Sequence, residues 1–168
     1  MGELKSNIAL IGMPGSGKST VGVLLAKATG RDFVDTDLIV QKRTGQTLQS
    51  IVDSRGYEAL REEEERALLS LTCTDCVIAT GGSVVYTETG MAHLRSTSRV
   101  VFLDVSLATV RERIGDYSLR GISKRPEQSI EDLYRERHSL YQYHADLTIA
   151  CDGLSQDEVC RRIIEVLE

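Results

Sequence analysis

Gly12-Met13-Pro14-Gly15-Ser16-Gly17-Lys18-Ser19 follows the apolar run Asn7-Ile8-Ala9-Leu10-Ile11 and leads into an amphipathic stretch, Ser19 to Thr29. The eight residues match G-x-x-x-x-G-K-[ST], and the strand before and the helix after give the match its required context. Gly12, Gly15 and Gly17 permit a tight turn that aims successive backbone N–H groups at one point, where a Cβ would obstruct. The helix that follows adds the partial positive charge of its N-terminus. The loop therefore reads as a cradle for the phosphates of ATP. Its nucleotide-binding residues are Gly12, Gly15, Ser16, Gly17, Lys18, Ser19 and Thr20. Lys18 is expected at the β- and γ-phosphates, and Ser19 is expected to offer its hydroxyl to Mg²⁺.

Outward from this loop, short apolar runs alternate with amphipathic stretches, the pattern of an α/β fold with a parallel sheet. Strands are expected at 7–11, 32–35, 76–79, 99–103 and 147–150. Helices are expected at 19–29, 37–43, 47–55, 58–71, 90–96, 106–115, 129–143 and 155–167. Gly30 is placed to end the first helix. The expectation is one P-loop domain over 1–168, a three-layer α/β/α architecture with a five-stranded parallel sheet. The polar segment 115–127 carries Arg120, Lys124 and Arg125, and a loop of that length inside a domain reads as a mobile lid.

Composition narrows the function classes. Lys plus Arg is 20 against 25 for Asp plus Glu, a net charge of −5, which leaves no basic excess for nucleic-acid binding. No apolar stretch reaches the 18 or so residues of a membrane span, and the opening residues do not form a signal peptide. A soluble, cytoplasmic monomer is expected. Cys73-Thr74-Asp75-Cys76 has C-x-x-C spacing, but Cys151 and Cys160 do not repeat it, so ordinary thiols are expected rather than a zinc or redox site. No guanine-reading N-K-x-D occurs, which argues against a GTPase. The short chain with a lid favours a small kinase.

Asp35-Thr36-Asp37 closes the second strand, which is expected beside the P-loop strand. Ligands collect at the carboxyl ends of parallel strands, so both carboxylates should face the phosphate loop. One can hold magnesium through water and the other can accept a proton from an attacking hydroxyl. Taken alone, the pair could equally be a helix cap and a surface acid.

With these motifs in this order, the chain resembles the shikimate kinase family nearly end to end. The resemblance implies Asp35 for water-mediated magnesium and Asp37 as base on the substrate hydroxyl. Gly56-Tyr57-Glu58-Ala59-Leu60-Arg61 resembles the family's G-E-x-x-F-R, which implies Arg61 on the substrate carboxylate, with Glu64 one helical turn away to orient it. Thr80-Gly81-Gly82-Ser83 resembles the glycine triplet and implies Gly81 and Gly82 against substrate. Arg125-Pro126 matches the lid motif, making Arg125 the group that stabilises the transferring phosphoryl, with Arg120 ranked second. Arg137 and Tyr141 fall on R-x-x-x-Y, implying Arg137 as the second carboxylate ligand. Arg113 and the Asp152-Gly153 turn are family-like positions for the adenine end.

The chain departs from the pattern at several lining positions. Leu60 stands for a ring-packing phenylalanine, Ser83 for the third glycine, Tyr57 for a glutamate, Glu127-Gln128 for two apolar lid residues, and Ser139 for a proline. The expected reaction is transfer of the γ-phosphoryl group of ATP to shikimate, giving shikimate 3-phosphate. A sister kinase for another hydroxylated carboxylate such as homoserine, and a catalytically silent nucleotide sensor, are the alternatives.

Overall fold

The computed structural model describes residues 5–115 and 121–168. In chain order it contains β1 (Asn7–Ile11), α1 (Lys18–Thr29), β2 (Asp32–Asp35), α2 (Thr36–Thr44), α3 (Leu48–Arg55) and α4 (Tyr57–Leu69). There follow β3 (Cys76–Ala79), a 3-10 turn (Val84–Tyr86), α5 (Glu88–Thr97) and β4 (Ser98–Asp104). The chain continues with α6 (Leu107–Ile114), α7 (Ile130–His144), β5 (Leu147–Ala150) and α8 (Gln156–Leu167). None of the described helices is long and apolar enough to cross a membrane.

The sheet is parallel throughout, in the order β2-β3-β1-β4-β5. β1 and β3 are buried along their whole length, as strands covered by helices on both faces must be. α1 and α8 pack together on the sheet, while α4, α5 and α7 gather around β4 and the 3-10 turn, which gives the three layers. A second, smaller apolar cluster joins Val40, Ile51, Leu60 and Ala67 from α2, α3 and α4.

One expectation about the sheet is corrected. β2 does not lie beside the P-loop strand, because β3 pairs with both β1 and β2 and separates them. The burial pattern gives the reason. Cys76-Val77-Ile78-Ala79 is buried at every position, whereas Asp32-Phe33-Val34-Asp35 carries an acid at each end and is nowhere fully buried. The all-apolar strand takes the interior slot and the half-polar one takes the edge. The site still assembles, because the carboxyl ends of β1, β2 and β3 all open onto the start of α1.

Candidate active site

The phosphate loop has the geometry its glycines predict. Gly12 sits at φ +152°, and a methyl group there would lie 2.9 Å from the Leu103 carbonyl oxygen. α1 begins after Gly17 with no side-chain cap and no acidic residue in its first turn. Its N-terminal N–H groups and dipole are thus left for an anion. Lys18 is curled over its own loop, donating to the carbonyls of Gly12 at 2.7 Å and Met13 at 2.8 Å. Burial pushes its ammonium down to about 8, with the Asp37 charge working in the opposite direction. Arg113 reaches the loop from α6, donating from Nη1 to the Gly15 carbonyl at 3.2 Å.

Asp35 serves both readings of its motif. Its Oδ1 accepts from the Asp37 N–H at 2.9 Å and caps α2, while its Oδ2 accepts from Ser19 Oγ at 2.8 Å. Ser19 and Asp35 therefore present an all-oxygen pair at the mouth of the loop, a donor set that suits Mg²⁺. Thr36, fully buried, accepts the Gly81 N–H at 3.1 Å and ties this segment to the end of β3.

Asp37 is partly exposed as a residue, but its Oδ1 is sealed from solvent without a hydrogen-bond partner. Burial, reinforced by Asp35, raises its carboxyl to about 6. An acceptor atom left in this state next to a phosphate loop is a site for a ligand donor.

Glu64 lies elsewhere than expected. Its carboxylate is not a hydrogen-bond partner of Arg61, whose donors go to Ser123. It turns inward and accepts the hydroxyl of Ser83, with Glu64 only 3% exposed. Burial, then the charge of Asp37, pushes its carboxyl up to about 7. A methyl group on Gly81 would lie against Glu64 Oε1 and 3.1 Å from Asp37 Oδ1, so two carboxylates converge over that glycine. A methyl group on Gly82 would lie 2.9 Å from both Arg137 Nη1 and Pro14 Cδ, which accounts for the second glycine. The Ser83 side chain is taken up in its bond with Glu64.

Arg61 and Arg137 do come together. Arg137 is fully buried, and its Nη2 donates to the Ser123 carbonyl at 2.6 Å. Arg61 donates from Nη2 to the same oxygen at 3.3 Å and from Nε to Ser123 Oγ at 2.7 Å. Two guanidiniums that already share one carbonyl oxygen are arranged to share a carboxylate. Arg137 Nε remains buried without a partner. Tyr141 supports this wall by donating its hydroxyl to the Gly82 carbonyl at 2.5 Å.

Arg125 is not in this group. It is half exposed and pairs with Glu136 at 3.1 Å and Glu127 at 3.8 Å. Arg120 falls outside the described residues. Leu60 is in the small core cluster, 1% exposed. Asp152 is occupied too, since its Oδ1 accepts from the Ser106 N–H and the Thr109 hydroxyl, both at 3.1 Å. Cys73 and Cys76 are free thiols, and burial pushes Cys76 up to about 12, which leaves it unreactive.

A cavity of about 320 Å³ joins the phosphate loop to Asp37, Glu64 and Arg137, while Arg61 is not among its lining residues. Its lining runs from Pro14, Gly15 and residues 17–20 to Asp37, Glu64, Thr80, Gly82, Ser83 and Arg137, closed on one side by Leu48, Gly121, Ile122 and Ser123. Gly121 packs on α3, accepted through its N–H by Gln49 Oε1 at 2.7 Å. Sequence reasoning named Ser83 as a lining position but missed Glu64, Leu48, Ile122 and Ser123. For Glu64 a signal was present: it lies on the apolar stripe Leu60, Ala67 and Leu68 of α4, so helical periodicity alone turns it inward.

A family profile described as shikimate kinase matches residues 14–168. A shikimate kinase of Moorella thermoacetica is 39% identical over 167 residues, covering 98% of this chain and 96% of that protein. One from Thermodesulfovibrio yellowstonii is 36% identical over 165 residues, covering 96% and 95%. Among solved structures, a shikimate kinase from Acinetobacter baumannii in complex with shikimate superposes with a TM-score of 0.89 at 30% identity, covering 99% of this chain and 94% of that one. The enzyme from Aquifex aeolicus gives a TM-score of 0.82 at 34% identity, covering 96% and 95%.

Proposed function

Because the chain belongs to the shikimate kinase family, we propose that it transfers the γ-phosphoryl group of ATP to the 3-hydroxyl of shikimate. The observation that carries this reading is the single cavity in which Lys18, Asp37 and Arg137 meet. It places a phosphate cradle, an unpartnered carboxylate and a buried guanidinium at three sides of one space.

In the proposed mechanism Arg61 and Arg137 release Ser123 and grip the acceptor carboxylate. Fixing that end aims the ring hydroxyl at Asp37, whose Oδ1 takes the proton as the hydroxyl oxygen attacks the γ-phosphorus in line. Holding both reactants in this way supplies much of the rate gain in such transfers. Lys18 leaves the carbonyls of Gly12 and Met13 to neutralise the β- and γ-phosphates. Gly81 and Gly82 bring backbone against the substrate, and Arg113 lies at the nucleotide end. Ser19 directly and Asp35 through water would hold Mg²⁺, which when bound neutralises phosphate charge. Arg125 leaves Glu136 and reaches the transferring phosphoryl. A single monomeric domain working in the cytoplasm completes the reading.

The test is an ATP–Mg²⁺ turnover assay following ADP release with shikimate, homoserine and a panel of hydroxy acids. Saturable turnover on shikimate is expected. Silence on shikimate with activity on another acid would replace the substrate, and silence on all would replace the reaction with nucleotide sensing.

A further inference from the structure

Tyr86 ends the 3-10 turn that follows Gly81-Gly82-Ser83, and no motif of the sequence singles it out. Its ring lies 3.8 Å from the Arg61 guanidinium carbon and 5.5 Å from that of Arg137. Its hydroxyl donates to Glu136 Oε1 at 2.7 Å. The other Glu136 oxygen receives Gln128 Nε2 and Arg125 Nη2, both at 3.1 Å. The ring is therefore anchored at its hydroxyl end.

Two guanidiniums converging on one oxygen repel each other, and Arg137 is removed from water altogether. A negative π face near both offsets part of that repulsion. A carboxylate on the same spot would satisfy the pair but would compete with substrate.

We propose that Tyr86 is a positioning residue for the acceptor carboxylate, holding Arg61 and Arg137 in register through its ring while Glu136 fixes the ring. The proposal rests on the kinase reading above. It acts on acceptor binding and leaves the phosphate loop untouched.

The experiment compares Tyr86→Phe, Tyr86→Leu and Tyr86→Met in steady-state kinetics. The acceptors are shikimate and an analogue whose carboxylate is replaced by hydroxymethyl. Loss of the π face should raise the KM for shikimate roughly 3- to 30-fold, with kcat and the KM for ATP within about twofold. Tyr86→Phe keeps the π face but loses the bond to Glu136, so its KM should rise less than that of Tyr86→Met. The hydroxymethyl analogue should be used equally by all variants. An unchanged KM for shikimate in Tyr86→Met would overturn the proposal, as would an equal rise for both acceptors, which marks general loosening. Tyr86→Met keeps side-chain volume should Tyr86→Leu fail to fold. Parent turnover is measured first. Its absence would overturn the kinase reading alone, and shikimate binding by calorimetry would then make the same comparison among variants.

Discussion

The hydroxyl of Ser83 donates to the buried carboxylate of Glu64, 19 positions earlier in the chain. The resemblance read from the sequence sets Ser83 against a family glycine, and the bond turns that apparent loss of space into a compensated pair. The serine takes over one lone pair of an acid that has little water left around it, and it leaves Glu64 Oε1 facing Gly81 and Asp37.

Ser83→Ala should destabilise the protein by about 1–2 kcal/mol at pH 8 and by less than half of that at pH 5. The hydroxyl favours the ionised form of Glu64, whose folded value is about 7. Its contribution is therefore largest above that value and shrinks where the carboxyl is protonated. Urea melts at the two pH values measure it, and equal losses at both would remove the charge-assisted character of the bond.

Glu64→Gln should raise the stability of the nucleotide-free protein at pH 8, by on the order of 1–3 kcal/mol, and change it little at pH 4.5. The sign follows from the raised carboxyl. Between about 4.5 and 7 the folded state binds more protons than the unfolded one, so stability falls as pH rises through this window. The glutamine mimics the protonated acid and escapes that loss. Thermal melts across pH 4.5–8 test it, and a variant that melts lower than the parent at pH 8 would contradict it.

Activity should fall on both sides of neutrality. Asp37 must be ionised to take a proton, and its value is about 6. The kcat/KM for shikimate should therefore decline roughly tenfold per pH unit well below 6. Lys18 must be protonated to meet phosphate, and its value is about 8. The kcat/KM for ATP should decline above that. Profiles from pH 5 to 9.5 report these free-enzyme groups, and an acid limb that stays flat to pH 5 would remove Asp37 as the base.

Arg125→Ala should lower kcat by roughly 10²- to 10³-fold with little change in the KM for ATP, as expected for a cation that acts on the transferring group. Glu136→Gln should not mimic this, because weakening the resting ion pair at 3.1 Å frees the arginine rather than deleting it. Single-turnover measurements separate the two. Equal loss of kcat in both variants would place Glu136, and not Arg125, at the centre of the effect.

Much of this protein was legible in order along the chain. Gly12 to Ser19 is contiguous, and its backbone freedom, helix start and lysine are properties of neighbouring residues, so sequence alone determines the cradle. The five strands and the helices follow equally from local periodicity and caps, including the Ser129 and Ser155 capping boxes that begin α7 and α8. What tertiary structure decided is who meets whom. The interior place of β3 between β1 and β2 depends on burying whole strands against both helical layers. The turn of Glu64 toward Ser83 rather than Arg61 depends on the packing of α4 against the 3-10 turn that follows Ser83. The meeting of Arg61 and Arg137 at Ser123 joins α4, α7 and the segment before α7. Each of these is a choice between long-range partners of similar chemistry, and such choices are made by shape and burial once the layers close.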